Sequence, residues 1–191
     1  MHCKIYLFRH GQTYFNEEHR FTGWKDSQLA PQGIKDAKKL AQKLKSKKFQ
    51  VAFQTRLSRS KDTLKYILQF HPECKKIITD DRMIERNYGI LEGKFHRTII
   101  KEYGEKKFNL WHRSYTIAPQ KGETIKQVEK RVLAFIKDLI TYMEKNKVNV
   151  AISAHGNSMR PFREYFEKLS KKQMMTLENP WDDYFEYKIK V

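Results

Sequence analysis

Two apolar runs end in the same way, and this constrains the chain more than any other feature. Cys3 to Phe8 runs into Arg9-His10-Gly11, and Val148 to Ser153 runs into Ala154-His155-Gly156. A short run of large and β-branched residues reads as a buried strand. A His-Gly pair directly after it marks the point where the strand leaves the sheet. At one such end, a strand reaching solvent and turning is explanation enough. The same triplet also suits a nucleophile at the mouth of a sheet, beside a cation that meets an anionic substrate.

The intervening sequence alternates helix and strand signals. Ile34, Ala37, Leu40, Ala41 and Leu44 recur at helical spacing, with Pro31 and Gly33 at the start where a first turn tolerates them. Val51-Ala52-Phe53 reads as a strand, Leu57 to Phe70 as a helix ended by Pro72, and Ile77-Ile78 as a short edge strand. A long helix begins near Glu123, its stripe formed by Ile125, Val128, Val132, Ile136, Leu139, Ile140 and Met143. Phe185, Tyr187, Ile189 and Val191 alternate as a final half-buried strand. This order predicts an α/β three-layer sandwich with a mostly parallel sheet, formed as a single domain over residues 1–191. In such sheets ligands bind outside the carboxyl ends of the strands. If the two His-Gly strands are neighbours, His10 and His155 meet there.

Composition narrows the function classes. The formal charge of +17 fits nucleic acid, acidic small molecules or a lysine-rich solvated face. The lysines are scattered in pairs, such as Lys38-Lys39 and Lys171-Lys172, with no long basic block and no nucleic-acid motif. The reading is therefore no specific nucleic acid. No apolar stretch approaches the roughly 20 residues of a membrane span and the start lacks a signal-peptide layout, so a cytoplasmic protein without a membrane partner is expected. The two cysteines, Cys3 and Cys74, have no metal-type spacing and read as reduced core thiols. His2, His19 and His71 read as surface residues, and Trp24 and Trp111 as packing anchors or pocket walls.

Four segments then carry a resemblance. Arg9-His10-Gly11-Gln12-Thr13 with Asn16 resembles the RHG signature of the histidine phosphatase superfamily, and His155-Gly156-Asn157-Ser158-Met159-Arg160 its second histidine motif. Leu57-Ser58-Arg59-Ser60 and Glu85-Arg86-Asn87-Tyr88-Gly89 match its other site segments in order. A lone triplet would be weak, but four motifs in order are specific. Phe21-Thr22-Gly23-Trp24, Trp111-His112-Arg113-Ser114-Tyr115 and Gly122-Glu123-Thr124 are similar to segments of the cofactor-dependent phosphoglycerate mutase branch. The resemblance implies a phosphoglycerate mutase-like fold and an enzyme that transfers phosphoryl groups through a phosphohistidine. The mutase branch is primed by 2,3-bisphosphoglycerate; the alternative is a metal-independent phosphatase of small phosphomonoesters.

The roles implied are chemically coherent. His10 attacks phosphorus with an unprotonated nitrogen, its other nitrogen donating to a carbonyl. Arg9 and Arg59 clamp phosphate oxygens through guanidinium forks, and His155, when protonated, adds a third cation. Glu85 protonates the leaving oxygen. The rest of a small anionic substrate falls by resemblance to Asn16, Thr22, Gly23, Tyr88, Lys94, His96, His112, Arg113, Gly156 and Asn157. The scheme requires no metal. His112 and His96 stand where the mutase branch has an arginine and a lysine; as partly charged imidazoles they make retention of a bisphosphate weaker and pH-dependent. The segment from Pro119 to Glu123 is shorter than in the larger mutases. A shorter lid admits water and removes a surface that those enzymes use to assemble, leaving a monomer or dimer as the expectation.

Overall fold

A computed structural model describes residues 2–191. In chain order the described elements are β1 (His2–Arg9), α1 (Tyr14–Glu17), α2 (Pro31–Leu44), β2 (Val51–Gln54), α3 (Ser58–Leu68), β3 (Lys76–Thr79), α4 (His96–Arg113), α5 (Ile125–Asn146), β4 (Val150–Ala154), α6 (Gly156–Glu167), α7 (Lys171–Thr176) and β5 (Tyr184–Lys190), with single-turn helices at Asp81–Met83 and Gly89–Leu91. The strands form one sheet in the order β3-β2-β4-β1-β5, parallel except for the antiparallel edge strand β5.

The pleat explains the three layers. Along β1, Ile5 and Leu7 point into a core with Val128, Val132, Phe135 and Ile136 of α5 and Phe162 of α6. Tyr6 and Phe8 point the other way, into a core with Leu40, Ala41 and Leu44 of α2 and Leu64 and Ile67 of α3. The same division recurs on β2 and β4: Val51, Phe53, Val150 and Ile152 face α5, while Ala52 and Ala151 face α2 and α3. A central strand covered on both faces reads as a continuous apolar run, which is why β1 and β4 stand out in the sequence. Each fully buried large apolar side chain contributes about 1.5–3 kcal/mol to holding the layers together. A third cluster of Phe21, Tyr88, Leu91 and Ile99 packs beneath α4 with Phe108 and Trp111, beside the carboxyl ends of the strands.

Two elements carry weak sequence signals. α4 buries only Ile99, and Gly104, at φ 80° and ψ 157°, breaks it into two segments, so no apolar stripe announces it. α6 contains Pro161 and starts immediately after His155, so its sequence reads as a motif before it reads as a helix. Two expectations are corrected. His71 is buried at 1% exposure, its ring 4.2 Å from that of Phe49 and its Nδ1 hydrogen-bonded to Glu73 at 3.0 Å. The turn after α3 folds its ring under the sheet, an arrangement that local polarity does not encode. Cys74 is only partly buried, whereas Cys3 is a core residue, and both are free thiols.

Candidate active site

β1 and β4 are parallel neighbours at the centre of the sheet, with Arg9 in register with Ala154. The ladder continues one step further, where the His10 amide donates to the Ala154 carbonyl at 3.1 Å. The histidines that follow these strands therefore share one end of the sheet, their ring centroids 4.9 Å apart. Both are buried, at 2% and 0% exposure. The loop from Gly11 has no room for a side chain, since a Cβ there would lie 2.3 Å from the Gly33 carbonyl oxygen. Likewise a Cβ on Gly33 would lie 1.9 Å from the Gln12 carbonyl oxygen. The amino end of α2 and the loop after His10 thus lock together backbone to backbone.

The tautomer of His10 follows from its partner. Its Nδ1 lies 2.7 Å from the Gly11 carbonyl oxygen, which only accepts, so Nδ1 carries the proton and Nε2 keeps its lone pair. Burial, reinforced by Arg59 and Arg9, holds the ring well below the ordinary histidine pKa. His10 is therefore a neutral imidazole with a free ring nitrogen at neutral pH. His155 is also held well below the ordinary value, by burial and then by Arg59 and His10. Its Nε2 pairs with the Thr55 hydroxyl at 2.8 Å. The condition set for His155 as a third cation, that it be protonated, is not met in the unliganded protein, because a third buried positive charge beside two arginines is unfavourable.

The cations are held by carbonyls. Arg59, fully buried on the first turn of α3, donates through Nη2 to the Gly23 carbonyl at 2.7 Å and through Nη1 to the Lys25 carbonyl at 3.3 Å. Burial lowers its pKa to about 10, which leaves it charged at neutral pH. Arg9 donates through Nη1 to the Asn179 carbonyl at 3.1 Å. Among the described residues, three buried nitrogens here lack a partner: Nε of Arg9, Nε of Arg59 and Nδ1 of His155. Unpaired buried polar nitrogens are costly, at about 1–3 kcal/mol each, and three around His10, two of them on guanidinium groups, suit an anion.

Glu85, 4% exposed, stands on the loop between β3 and α4. Its Oε1 accepts from the Arg86 amide at 2.7 Å and from the Asn157 amide in the first turn of α6 at 3.2 Å. Its carbonyl accepts from Trp24 Nε1 at 2.7 Å and from Arg131 Nη2 at 3.0 Å. Trp24 is therefore an anchor for this loop. Trp111 packs with the apolar cluster under α4.

A cavity of about 210 Å³ adjoins this cluster, lined in part by Arg9, Asn16, Thr22, Glu85, Tyr88, His96, His112, Arg113, Gly156 and Asn157. These are ten of the residues picked out in the sequence. His10, Arg59 and His155 are not in its lining; Arg9 and Gly156, the chain neighbours of the two histidines, are. Asn16 uses Oδ1 to accept from the Thr13 amide and hydroxyl, which turns its amide donors to other use. Gly23 is buried behind the site, where its carbonyl seats Arg59 and its φ of 56° excludes a side chain. Lys94 is exposed and outside the cavity lining. His96 and His112 lie with ring centroids 5.2 Å apart. Burial, with Arg113 nearby, lowers His96 to about 4 and His112 to about 3. They are neutral at pH 7, not partly charged, because apolar contacts with Phe21 and Phe108 dominate their surroundings. Arg20, Arg160, Glu178 and Asn179 also line the cavity. Only Arg160 has a sequence signal, as the last residue of the second histidine motif; the others arrive through tertiary packing. Among the described residues no cluster of three His, Cys, Asp or Glu has metal-site geometry, and no helix is long and apolar enough to cross a membrane.

Comparison with known proteins agrees with this geometry. The family model of the histidine phosphatase superfamily (branch 1) matches residues 5–183. The 2,3-bisphosphoglycerate-dependent phosphoglycerate mutase of Parvibaculum lavamentivorans is 36% identical, over 91% of this chain and 84% of the relative. The phosphoglycerate mutase of Schizosaccharomyces pombe is 37% identical over the same shares, 91% and 84%. Among solved structures, a mycobacterial glucosyl-3-phosphoglycerate phosphatase superposes with a TM-score of 0.83 at 21% identity, covering 98% of this chain and 91% of that one. The phosphoglycerate mutase of Bacillus anthracis gives 0.76 at 23%, covering 98% and 92%. The structural likenesses show the fold.

Proposed function

The chain belongs to the histidine phosphatase superfamily, and from that membership we propose that it is a 2,3-bisphosphoglycerate-dependent phosphoglycerate mutase, interconverting 3-phosphoglycerate and 2-phosphoglycerate through a phosphohistidine on His10. One observation carries the reading. The cavity that adjoins the cluster at His10 presents Arg20, Arg113 and Arg160. Hydrolysis of a monoester requires one anion site, whereas a mutase must hold a carboxylate and a second phosphate through the reaction.

The residues divide the work as follows. Nε2 of His10 attacks phosphorus in line while Nδ1–H stays on the Gly11 carbonyl, which stabilises the charge that the ring acquires. The guanidinium groups of Arg9 and Arg59 face the equatorial oxygens, where the transition state spreads its charge. His155, neutral without ligand, gains a proton or donates its Nδ1–H when a dianion arrives, and Thr55 fixes its ring. Glu85 gives a proton to the departing alkoxide and takes one from the hydroxyl that later attacks the phosphohistidine. When bound, 2,3-bisphosphoglycerate supplies the phosphoryl group that primes His10. The orphaned nitrogens of Arg9, Arg59 and His155 suit one of its phosphates, and Arg113, Arg20 and Arg160 suit its other anionic groups.

A second reading, a phosphatase, is favoured by the neutral His96 and His112, which leave the outer part of the cavity with fewer cations than the mutase branch has. One assay separates them: conversion of 3-phosphoglycerate with and without added 2,3-bisphosphoglycerate, with free phosphate followed in the same tube. Isomerisation that outpaces phosphate release supports the mutase, and the reverse supports the phosphatase. Failure of His10→Ala to abolish acid-labile phosphate on the protein refutes both.

A further inference from the structure

Beyond the histidine motifs, Leu177, Glu178 and Asn179 form one wall of the cavity, and Trp181 follows them two residues on. The attachment of this segment is dense. The Asn179 side chain donates to the Gly156 carbonyl at 3.0 Å and accepts from Arg163 at 3.1 Å. The Leu177 carbonyl accepts from Arg160 at 3.2 Å and the Glu178 carbonyl from Arg163 at 2.8 Å. The segment is thereby tied to α6, whose first turn borders the site.

Against this wall lies Arg9. Its guanidinium carbon sits 4.5 Å from the centroid of the Trp181 ring. On the Gly156 side, a Cβ would stand 3.6 Å from the same carbon, an ordinary contact distance. No acidic side chain pairs with Arg9 among the described residues, and its one protein acceptor is the Asn179 carbonyl, which takes Nη1. An arginine held by a carboxylate has its fork occupied and its charge partly cancelled. An aromatic face holds the cation through its plane and leaves the in-plane N–H groups to an oxyanion. The buried, unpartnered Nε of Arg9 is such a group.

We propose that Trp181, carried on the segment that Asn179 ties to α6, is the positioning residue that holds the Arg9 guanidinium edge-on to the transferring phosphate. The inference rests on the phosphoryl-transfer reading of the site but not on the choice between mutase and phosphatase. Trp181 touches no reacting atom; it acts through Arg9.

The test is calorimetric titration of the full chain with orthovanadate, an oxyanion that needs no turnover. Trp181→Leu is expected to weaken binding about ten-fold, and Trp181→Phe, which keeps a smaller aromatic face, about two- to three-fold. Thermal midpoints of both should stay near that of the wild type, since the indole is not fully buried and its Nε1 makes no hydrogen bond for either variant to lose. In an Arg9→Ala background, Trp181→Leu should have no further effect. Binding by Trp181→Leu within two-fold of the wild type overturns the proposal, as do losses that multiply between the two sites. Should the leucine variant not fold, an unchanged affinity in Trp181→Phe together with Trp181→Ala overturns it equally. A wild-type protein that binds orthovanadate without interconverting phosphoglycerates defeats the mutase reading and leaves this one standing; no orthovanadate binding at all defeats both.

Discussion

Replacing Arg131 by methionine tests whether Glu85, the proposed proton donor, is held from behind. Arg131, on α5, reaches under the loop that carries Glu85. Nη1 donates to the carbonyls of Arg82 at 2.7 Å and Ile84 at 2.8 Å, and Nη2 donates to that of Glu85 at 3.0 Å. Nε and Nη2 also bind the two oxygens of Glu123 at 3.0 and 3.1 Å, with both side chains less than a fifth exposed. Methionine fills much of the volume and makes none of these bonds. The Glu85 carbonyl keeps Trp24 Nε1 and Glu123 keeps the Asn87 amide, but the Arg82 and Ile84 carbonyls are left without a side-chain donor. Two stranded acceptors and a half-paired carboxylate cost about 3–5 kcal/mol. For a chain of this size that lowers the thermal midpoint by about 10–15 °C. The activity signature is more specific. A nitrophenolate leaves without a proton whereas an alkoxide does not, so phosphoglycerate turnover should fall at least about ten-fold more than p-nitrophenyl phosphate hydrolysis. Equal losses on the two substrates, or a midpoint shift under about 3 °C, refute the reasoning.

Three further outcomes follow from the same geometry. His96 and His112 titrate at about 4 and about 3 in the folded chain against 6.5 ordinarily, so between those limits the unfolded chain binds more protons and stability falls as pH drops below about 6.5. Thermal midpoints at pH 7.5, 6.5 and 5.5 will show it, with a shallower decline in His112→Phe; a flat wild-type profile contradicts the assignment. Gly33→Ala forces a methyl to within 1.9 Å of the Gln12 carbonyl oxygen and should cost at least about 2 kcal/mol in denaturant unfolding, with loss of phosphohistidine formation. An unchanged midpoint would show that α2 yields where it meets the His10 loop. His112→Arg adds a permanent cation to the outer cavity and should raise the ratio of isomerisation to phosphate release several-fold. No change in that ratio places the discrimination elsewhere.

The sheet was legible because its central strands are buried on both faces, so β1, β2 and β4 appear as unbroken apolar runs. β5 was legible through alternation, since its strand is half-buried. The two histidines could be paired in advance because the strands before them end alike, but the neutral state of His155 could not be read. Neutrality at His155 and His96 depends on what packs around each ring, which no local motif records. α4 escaped notice since Gly104 interrupts it and a single buried residue carries its packing. Lys94 was placed in the site by its neighbours in sequence, yet the backbone at Gly93 carries its side chain to the exterior. Trp181 and Arg131 act through partners far along the chain, and only the folded arrangement brings them to Arg9 and Glu85.

Arg86 gives the molecule a mechanical property of its own. Fully buried next to Glu85, it grips the carbonyls of His112 at 3.3 Å, Ile117 at 3.0 Å and Glu123 at 2.7 Å. One guanidinium thus joins the carboxyl end of α4, the connector after it and the residues just before α5 to the loop that carries Glu85. The part of the cavity lining that α4 supplies, His112 and Arg113, is thereby tied to the Glu85 loop. With Glu85 as the proposed acid, a ligand held by His112 and Arg113 in the outer cavity is coupled to it through this one side chain.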